Sequence, residues 1–294
     1  MGAGTDIIGD LHVDICGHGP PILLIHGFGA SSFTWSKIVS SLAANHRVIT
    51  LDLKGFGRSK KPRDGRYTLR EQAAAVMNVI ETLDLSEMTL IGHSMGGGVA
   101  LLLSMALEQE APRRLRRLVL IDSIAYPQRL PHFVILLRLP LVGSLIMGLL
   151  PAAWLVRYVL SFAYFDRGKI EPAFVEEYAA PLRCRGGRAA LIAAARAIIP
   201  PDINQLIEQY RTMRSPVLLL AGRQDRFVPL AIARRLAAAI PNADLKVLDQ
   251  CGHVPHEEQP EFTISILREI LAISDADSRS AISVNLDTQG AGPH

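Results

Sequence analysis

The chain has 294 residues, 49% of them apolar and 20% charged, and carries a formal net charge of +3 with both signs dispersed. This is an ordinary globular composition, large enough for one big domain with an insertion, and it gives no electrostatic footing for nucleic-acid binding. Cys16, Cys184 and Cys251 are far apart and show no Cys-x-x-Cys spacing, which argues against a disulfide framework and against a zinc site.

In chain order, Met1 to Asp6 lack a basic region followed by an apolar core, so no secretory signal is expected and the cytoplasm is the default location. Ile7 to Ile15 and Pro21 to Ile25 read as two strands around the turn Gly17-His18-Gly19-Pro20. The second strand runs straight into His26-Gly27-Phe28-Gly29, whose glycines let backbone N–H groups approach a ligand. In isolation this tetrapeptide suits a plain strand-end turn with a core histidine better. Ser31 to Ala44 reads as a helix with Trp35, Ile38, Val39 and Leu42 on one side, and Arg47 to Leu51 as a strand. A Gly-rich loop, Asp52 to Ser59, follows; Asp52 and Arg58 are expected to tie that loop together rather than to catalyse. Leu69 to Leu83 has the apolar spacing of an amphipathic helix.

Met88-Thr89-Leu90-Ile91 is β-prone, and Val99 to Leu107 is Ala/Leu-rich and helix-prone. Between them, Gly92-His93-Ser94-Met95-Gly96 sits where a strand turns sharply into a helix. There a Gly-x-Ser-x-Gly pattern projects the serine outward beside unpaired backbone N–H groups. The bare pattern also fits tight packing or a phosphate cradle, so the other stretches must decide its meaning. Leu118 to Asp122 is strand-like again. The alternation of short apolar strands with helices predicts an α/β fold: a mostly parallel sheet covered by helices on both faces, with ligands at the carboxyl ends of the strands.

From about Ile124 to Arg214 the strands stop, and helix-like segments punctuated by prolines predict a helical insertion. Its stretch from Leu139 to Val156 contains no charged residue, yet two prolines and two glycines cut it, which speaks against a membrane span. An apolar lid over a pocket, or a surface that also touches lipid, fits it better. The clusters Arg113 to Arg117 and Arg183 to Arg188 read as solvated helix ends or loops. Pro216 to Ala221 is a strand, followed by the Gly222-to-Pro229 loop that carries Asp225; Ala243 to Leu248 is another, leading to Gly252-His253-Val254-Pro255-His256. A last helix runs from about Phe262 to Ile273. The expected division is a core at 1–123 and 215–273, a cap at 124–214, and a disordered tail at 274–294.

Ser94, Asp225 and His253 thus occur in the order nucleophile, acid, base, each on a loop after an expected strand. A serine hydroxyl attacks a carbonyl only if an imidazole takes its proton, and a carboxylate fixes the imidazole's tautomer. No metal or organic cofactor is needed. In these residues, and in His26 to Gly29, Asp52 to Ser59, Gly92 to Gly96, Gly222 to Asp225 and Gly252-His253, the chain resembles the α/β-hydrolases with a helical cap, from about residue 7 to 273. The resemblance implies nucleophile Ser94, acid Asp225, base His253 and oxyanion N–H groups from Phe28 and Met95. Serine at 94 disfavours the members that use an aspartate nucleophile. Asp122 is a rival acid, His93 is expected to point away from the pocket, and His256 reads as helix-start polarity.

The expected substrate is a small carboxylic ester with an apolar acyl or alcohol part. One alternative is carbon–carbon bond hydrolysis of a vinylogous diketone from aromatic-ring degradation. Similar enzymes often carry tryptophan after the base histidine, where this chain has Val254; Arg183 to Arg188 or Arg196 would have to hold such a substrate's carboxylate. A non-catalytic receptor that keeps the pocket is a third reading. Oligomeric state leaves no mark on the sequence.

Overall fold

A computed structural model describes residues 4–272. The strands β1 (Gly4–Ile8), β2 (Leu11–Cys16), β3 (Pro21–Ile25), β4 (Arg47–Asp52), β5 (Met88–His93), β6 (Leu115–Ile121), β7 (Val217–Gly222) and β8 (Ala243–Leu248) form one sheet. Its order is β1-β2-β4-β3-β5-β6-β7-β8. β2 runs antiparallel to both β1 and β4, and every other neighbouring pair is parallel. The single strand expected over Ile7 to Ile15 is instead a hairpin, with Ile8 paired to Leu11 across Gly9-Asp10 and Gly9 at φ 62°. Only glycine enters that left-handed region without strain, which is why the chain turns there despite apolar residues on both sides.

Successive residues of the central strands serve opposite faces. Ile22 and Leu24 of β3 pack with Trp35, with Ile38 and Leu42 of α1 (Ser36–Ala43), and with Ile266 and Leu267 of the helix over 260–272. Leu23 and Ile25 face the other way, into a core shared with α2 (Leu69–Thr82) and α3 (Met95–Glu110). Burial on both faces is what a parallel sheet requires. The helix expected over Ser31 to Ala44 begins as a tight 3-10 turn over Ser32–Trp35. α2 starts on a reciprocal capping box between Thr68 and Glu71, which satisfies orphan N–H groups at its first turn.

Between β6 and β7 the chain forms α4 (His132–Arg138), α5 (Val142–Leu149), α6 (Ala152–Ala163), α7 (Pro172–Arg183), α8 (Gly187–Ala197) and α9 (Ile203–Gln209). α4 and α5 meet at 110°, and no single helix among the described residues is long and apolar enough to cross a membrane. The uncharged stretch from Leu139 to Val156 is therefore α5 and the first part of α6, separated at Pro151. α10 (Leu230–Ala239) connects β7 to β8, α11 (Pro255–Glu258) follows the His253 loop, and α12 spans 260–272. The expected tail, 274–294, lies outside the described residues.

Candidate active site

The carboxyl ends of β3, β5, β6, β7 and β8 bring the His26 loop, Ser94, Asp122, Asp225 and His253 to one edge of the sheet. Ser94 sits between β5 and the 16-residue α3 with φ 52° and ψ −117°, a strained region for a residue with a Cβ. The surroundings hold it there. Its N–H donates to the Ile121 carbonyl, and its own carbonyl accepts from Gly97, Gly98 and Ile124. A Cβ at Gly96 would lie 2.3 Å from the Ile25 carbonyl oxygen, and one at Gly92 would lie 2.5 Å from that of Gly96. Both flanking glycines are thus required by close approach, and the serine is delivered to the positive end of the helix.

The hydroxyl of Ser94 lies 2.9 Å from His253 Nε2, and His253 Nδ1 lies 2.7 Å from Asp225 Oδ2. Asp225 is held in turn: its Oδ1 accepts from the Phe227 and Val228 N–H groups at 2.7 and 3.0 Å. Phe227 also presents its ring edgewise to the His253 imidazole. The three residues placed in one chain by sequence order therefore form one hydrogen-bonded chain in space. Around Ser94 the turn's backbone hydrogen bonds run from Gly97 and Gly98 to Ser94 and from Ala30 to Gly27, and among the described residues they do not engage the Phe28 and Met95 amides. His26 is structural: Leu53 N–H donates to its Nε2, so Nδ1 carries the proton and donates to the Gly27 carbonyl at 2.7 Å. Asp52 binds the Ser32 and Arg58 amides, as expected for a loop tie.

The rival residues take other places. Asp122 is buried, with Oδ1 accepting from Gly222 N–H at 3.0 Å and Oδ2 without a partner among the described residues. It approaches Asp225 and His253, with atoms of all three within 4.8 Å of one another. Burial and then the Asp225 carboxylate push its carboxyl well above the ordinary range, which favours its protonated form. His93 is a buried neighbour of the base: its Nε2 donates to the His253 carbonyl at 2.8 Å, and its ring packs against those of Trp35, His253 and His256, while the residue also borders the cavity. It braces the base from behind. His256 is fully buried beside Thr34 rather than exposed at a helix start.

Two acids that the sequence reading passed over fix the base to the inserted helices. Glu258 accepts from Gly252 N–H at 2.7 Å and from Asp166 N–H at 2.7 Å. Glu257 accepts from Tyr164 at 2.5 Å, and from Tyr178 and Thr34. The His253 amide itself donates to the Ala163 carbonyl of α6 at 2.7 Å. Two glutamates directly after Val254-Pro255-His256 were the available signal, masked because acids in a first helical turn are ordinarily solvated partners of the dipole.

Burial holds His93 well below the usual histidine value and pulls His256 down to about 3, with His253 adding to both and His256 adding to His93. Both stay neutral in the fold but take up protons in the unfolded chain below about 6.5. Their contribution to stability is complete above that pH and is lost as the pH falls, for His256 toward about 3. The wild type is expected to lose stability more steeply than His256→Gln between pH 6.5 and 4, by on the order of 3 kcal/mol at the acid end. Thermal unfolding of both proteins across pH checks this; parallel curves would remove His256 from the acid response.

Around Ser94 and His253 lies a cavity of about 420 Å³, walled by the His26 loop, by α4 to α6, and by Leu182, Leu191, Phe227 and Val254. Among the described residues, no Asp, Glu, Lys or Arg lines it. The arginines considered as carboxylate clamps are elsewhere: Arg183 pairs with Glu176, and Arg188 donates to the Leu182 carbonyl.

Residues 22–266 match the pattern of the Alpha/beta hydrolase family. The chain is 32% identical to the uncharacterized hydrolase YugF of Bacillus subtilis, covering 82% of this chain and 86% of that one. It is 31% identical to 2-hydroxymuconate semialdehyde hydrolase of Pseudomonas putida, covering 88% and 90%. Among solved structures, a thermophilic esterase from Thermogutta terrifontis superposes with a TM-score of 0.74 at 27% identity, covering 89% and 93%. With the sheet order, the helices on both faces and these matches in agreement, the chain belongs to the alpha/beta hydrolase family.

Proposed function

We propose that the chain is a serine hydrolase that cleaves carboxylic esters with a substantially apolar acyl or alcohol part. The observation that carries this reading is the cavity at Ser94, large and without a charged side chain in its wall. An ionised substrate group there would lose its hydration without gaining a partner, whereas each methylene buried contributes about 0.8 kcal/mol.

In this mechanism His253 Nε2 takes the Ser94 proton as Oγ attacks the ester carbonyl. The Phe28 and Met95 N–H groups hold the oxyanion, and Asp225 stabilises the imidazolium. The same proton then goes to the departing alkoxide. A water deprotonated by His253 attacks the acyl-enzyme, releasing the carboxylic acid and returning the proton to Ser94.

The 31% identity to 2-hydroxymuconate semialdehyde hydrolase supports a second reading, carbon–carbon bond hydrolysis. A muconate-type substrate carries a carboxylate, and this cavity wall offers it no cation. The test runs p-nitrophenyl esters from acetate to palmitate against a vinylogous diketone acid, alongside labelling by a fluorophosphonate. Ester turnover is expected, with kcat/KM rising about tenfold from acetate to butyrate as two methylenes enter the cavity. Labelling without ester turnover, together with consumption of the diketone, would replace the ester reading by the second one.

A further inference from the structure

Among the described residues, eleven of the fourteen exposed large hydrophobic side chains lie between Ile135 and Phe165, on α4 to α6 and their connections. They are ordered. Leu141, Leu145 and Leu149 recur every fourth residue along α5, at 82%, 61% and 72% exposure. Trp154, Tyr158 and Phe162 do the same along α6, with the first two rings stacked at 5.8 Å and the next pair edge-to-face at 5.1 Å. Residues four apart share one face of a helix, so two apolar stripes stand side by side in the chain on solvent-facing surface. A soluble monomer rarely exposes so many large apolar side chains on consecutive helices without a use for them.

Charge and position say what covers it. From Ser123 to Phe165 the sequence contains no Asp or Glu, and its charged residues are Arg129, Arg138 and Arg157; acids resume at Asp166. Arg157 is exposed and lies three residues beyond Trp154, beside the aromatic stripe. Exposed aromatic rings with flanking arginines match the boundary between lipid headgroups and acyl chains. Leu136, Trp154 and Tyr158 also line the cavity at Ser94, so the outer surface is continuous with the site. A second copy of the chain would fit less well, because a two-fold contact would set this basic face against itself and cover that approach.

We propose that α4 to α6 form a docking surface for an anionic lipid bilayer. The leucine stripe of α5 and the aromatic stripe of α6 enter the headgroup boundary, and the exposed Arg157 meets anionic headgroups. An apolar molecule dissolved in the bilayer then reaches the cavity without crossing water. Docking requires no turnover and stands independently of the ester reading.

The test is flotation of the full chain with vesicles of phosphatidylcholine alone or mixed with phosphatidylglycerol, at low and high salt. The wild type and Ser94→Ala are expected to float alike with the mixed vesicles, at least about tenfold less with phosphatidylcholine alone, and less at high salt. The chain has two tryptophans and Trp35 is 0% exposed, so a blue shift of emission on docking reports Trp154. Leu145→Glu with Leu149→Glu, both exposed and outside the cavity wall, is expected to lower vesicle binding at least about tenfold while p-nitrophenyl acetate turnover in solution persists. Arg157→Glu, a second and milder variant, is expected to lose the preference for phosphatidylglycerol. Absence of flotation with mixed vesicles, or undiminished flotation of the double leucine variant, would overturn the proposal. So would a wild-type dimer that the leucine changes dissociate in the absence of any vesicle binding.

Discussion

Ser94→Ala is expected to lower kcat on p-nitrophenyl butyrate by about 10⁴-fold or more and to leave the folded protein intact. The substitution removes one oxygen that lies 2.9 Å from His253 Nε2 and changes little else. Alanine keeps the Cβ, so the strain at φ 52° is no greater than before, and the backbone hydrogen bonds at 94 are untouched. Tm is accordingly expected to move by no more than about 2 °C. Residual activity would come from the oxyanion donors and from binding, which act without the nucleophile. Fluorophosphonate labelling of wild type and its loss in the variant supply an independent readout of the same oxygen. A fall in kcat of less than about hundredfold with Tm unchanged would place the nucleophile elsewhere.

Much of this site is written locally. Gly92-His93-Ser94-Met95-Gly96 marks its turn because Gly96 must pass within contact of β3 and Gly92 within contact of Gly96, requirements that leave glycine as the residue that fits. Asp225 and His253 are legible because each follows a strand by a few residues, Asp225 the buried apolar β7 and His253 the half-buried edge strand β8. What the sequence concealed depends on partners distant along the chain. Glu257 and Glu258 look like solvated acids until α6 and α7 bring Tyr164, Tyr178 and the Asp166 amide against them. His256 looks like surface polarity until Thr34 and the Trp35 ring close over it. The hairpin at Gly9-Asp10 was overlooked for the opposite reason: Ile7, Leu11, Val13 and Ile15 preserve the period of two straight through the turn. Because Glu258 and the Ala163 carbonyl hold Gly252 and His253, the inserted helices position His253 as well as wall the cavity.

The two aspartates at the end of the sheet, Asp122 and Asp225, differ in what they contribute. Asp225→Asn is expected to cost about 10⁴-fold in kcat at neutral pH. Its Oδ1 is committed to the Phe227 and Val228 amides, so the oxygen facing His253 Nδ1 is the one that an amide nitrogen replaces. A donor there meets the Nδ1 proton and drives the imidazole into the tautomer that cannot accept a proton from Ser94. Asp122→Asn is expected to keep kcat within about threefold, because asparagine reproduces a protonated carboxyl: its oxygen still accepts from Gly222 N–H and its nitrogen still presents a proton on the side of Asp225. The two also differ in stability. Asp122 binds a proton in the fold at pH values where the unfolded chain, with an ordinary carboxyl near 3.8, has lost it. Its contribution is therefore full below that pH and declines as the pH rises toward the raised value of the folded state. Asp122→Asn has no such dependence, so its Tm is expected to exceed that of wild type at pH 7 and to converge with it near pH 4. If Asp122→Asn instead loses activity as Asp225→Asn does, the charge that supports His253 is shared between the two carboxyls, and the assignment of Asp225 alone as the acid fails.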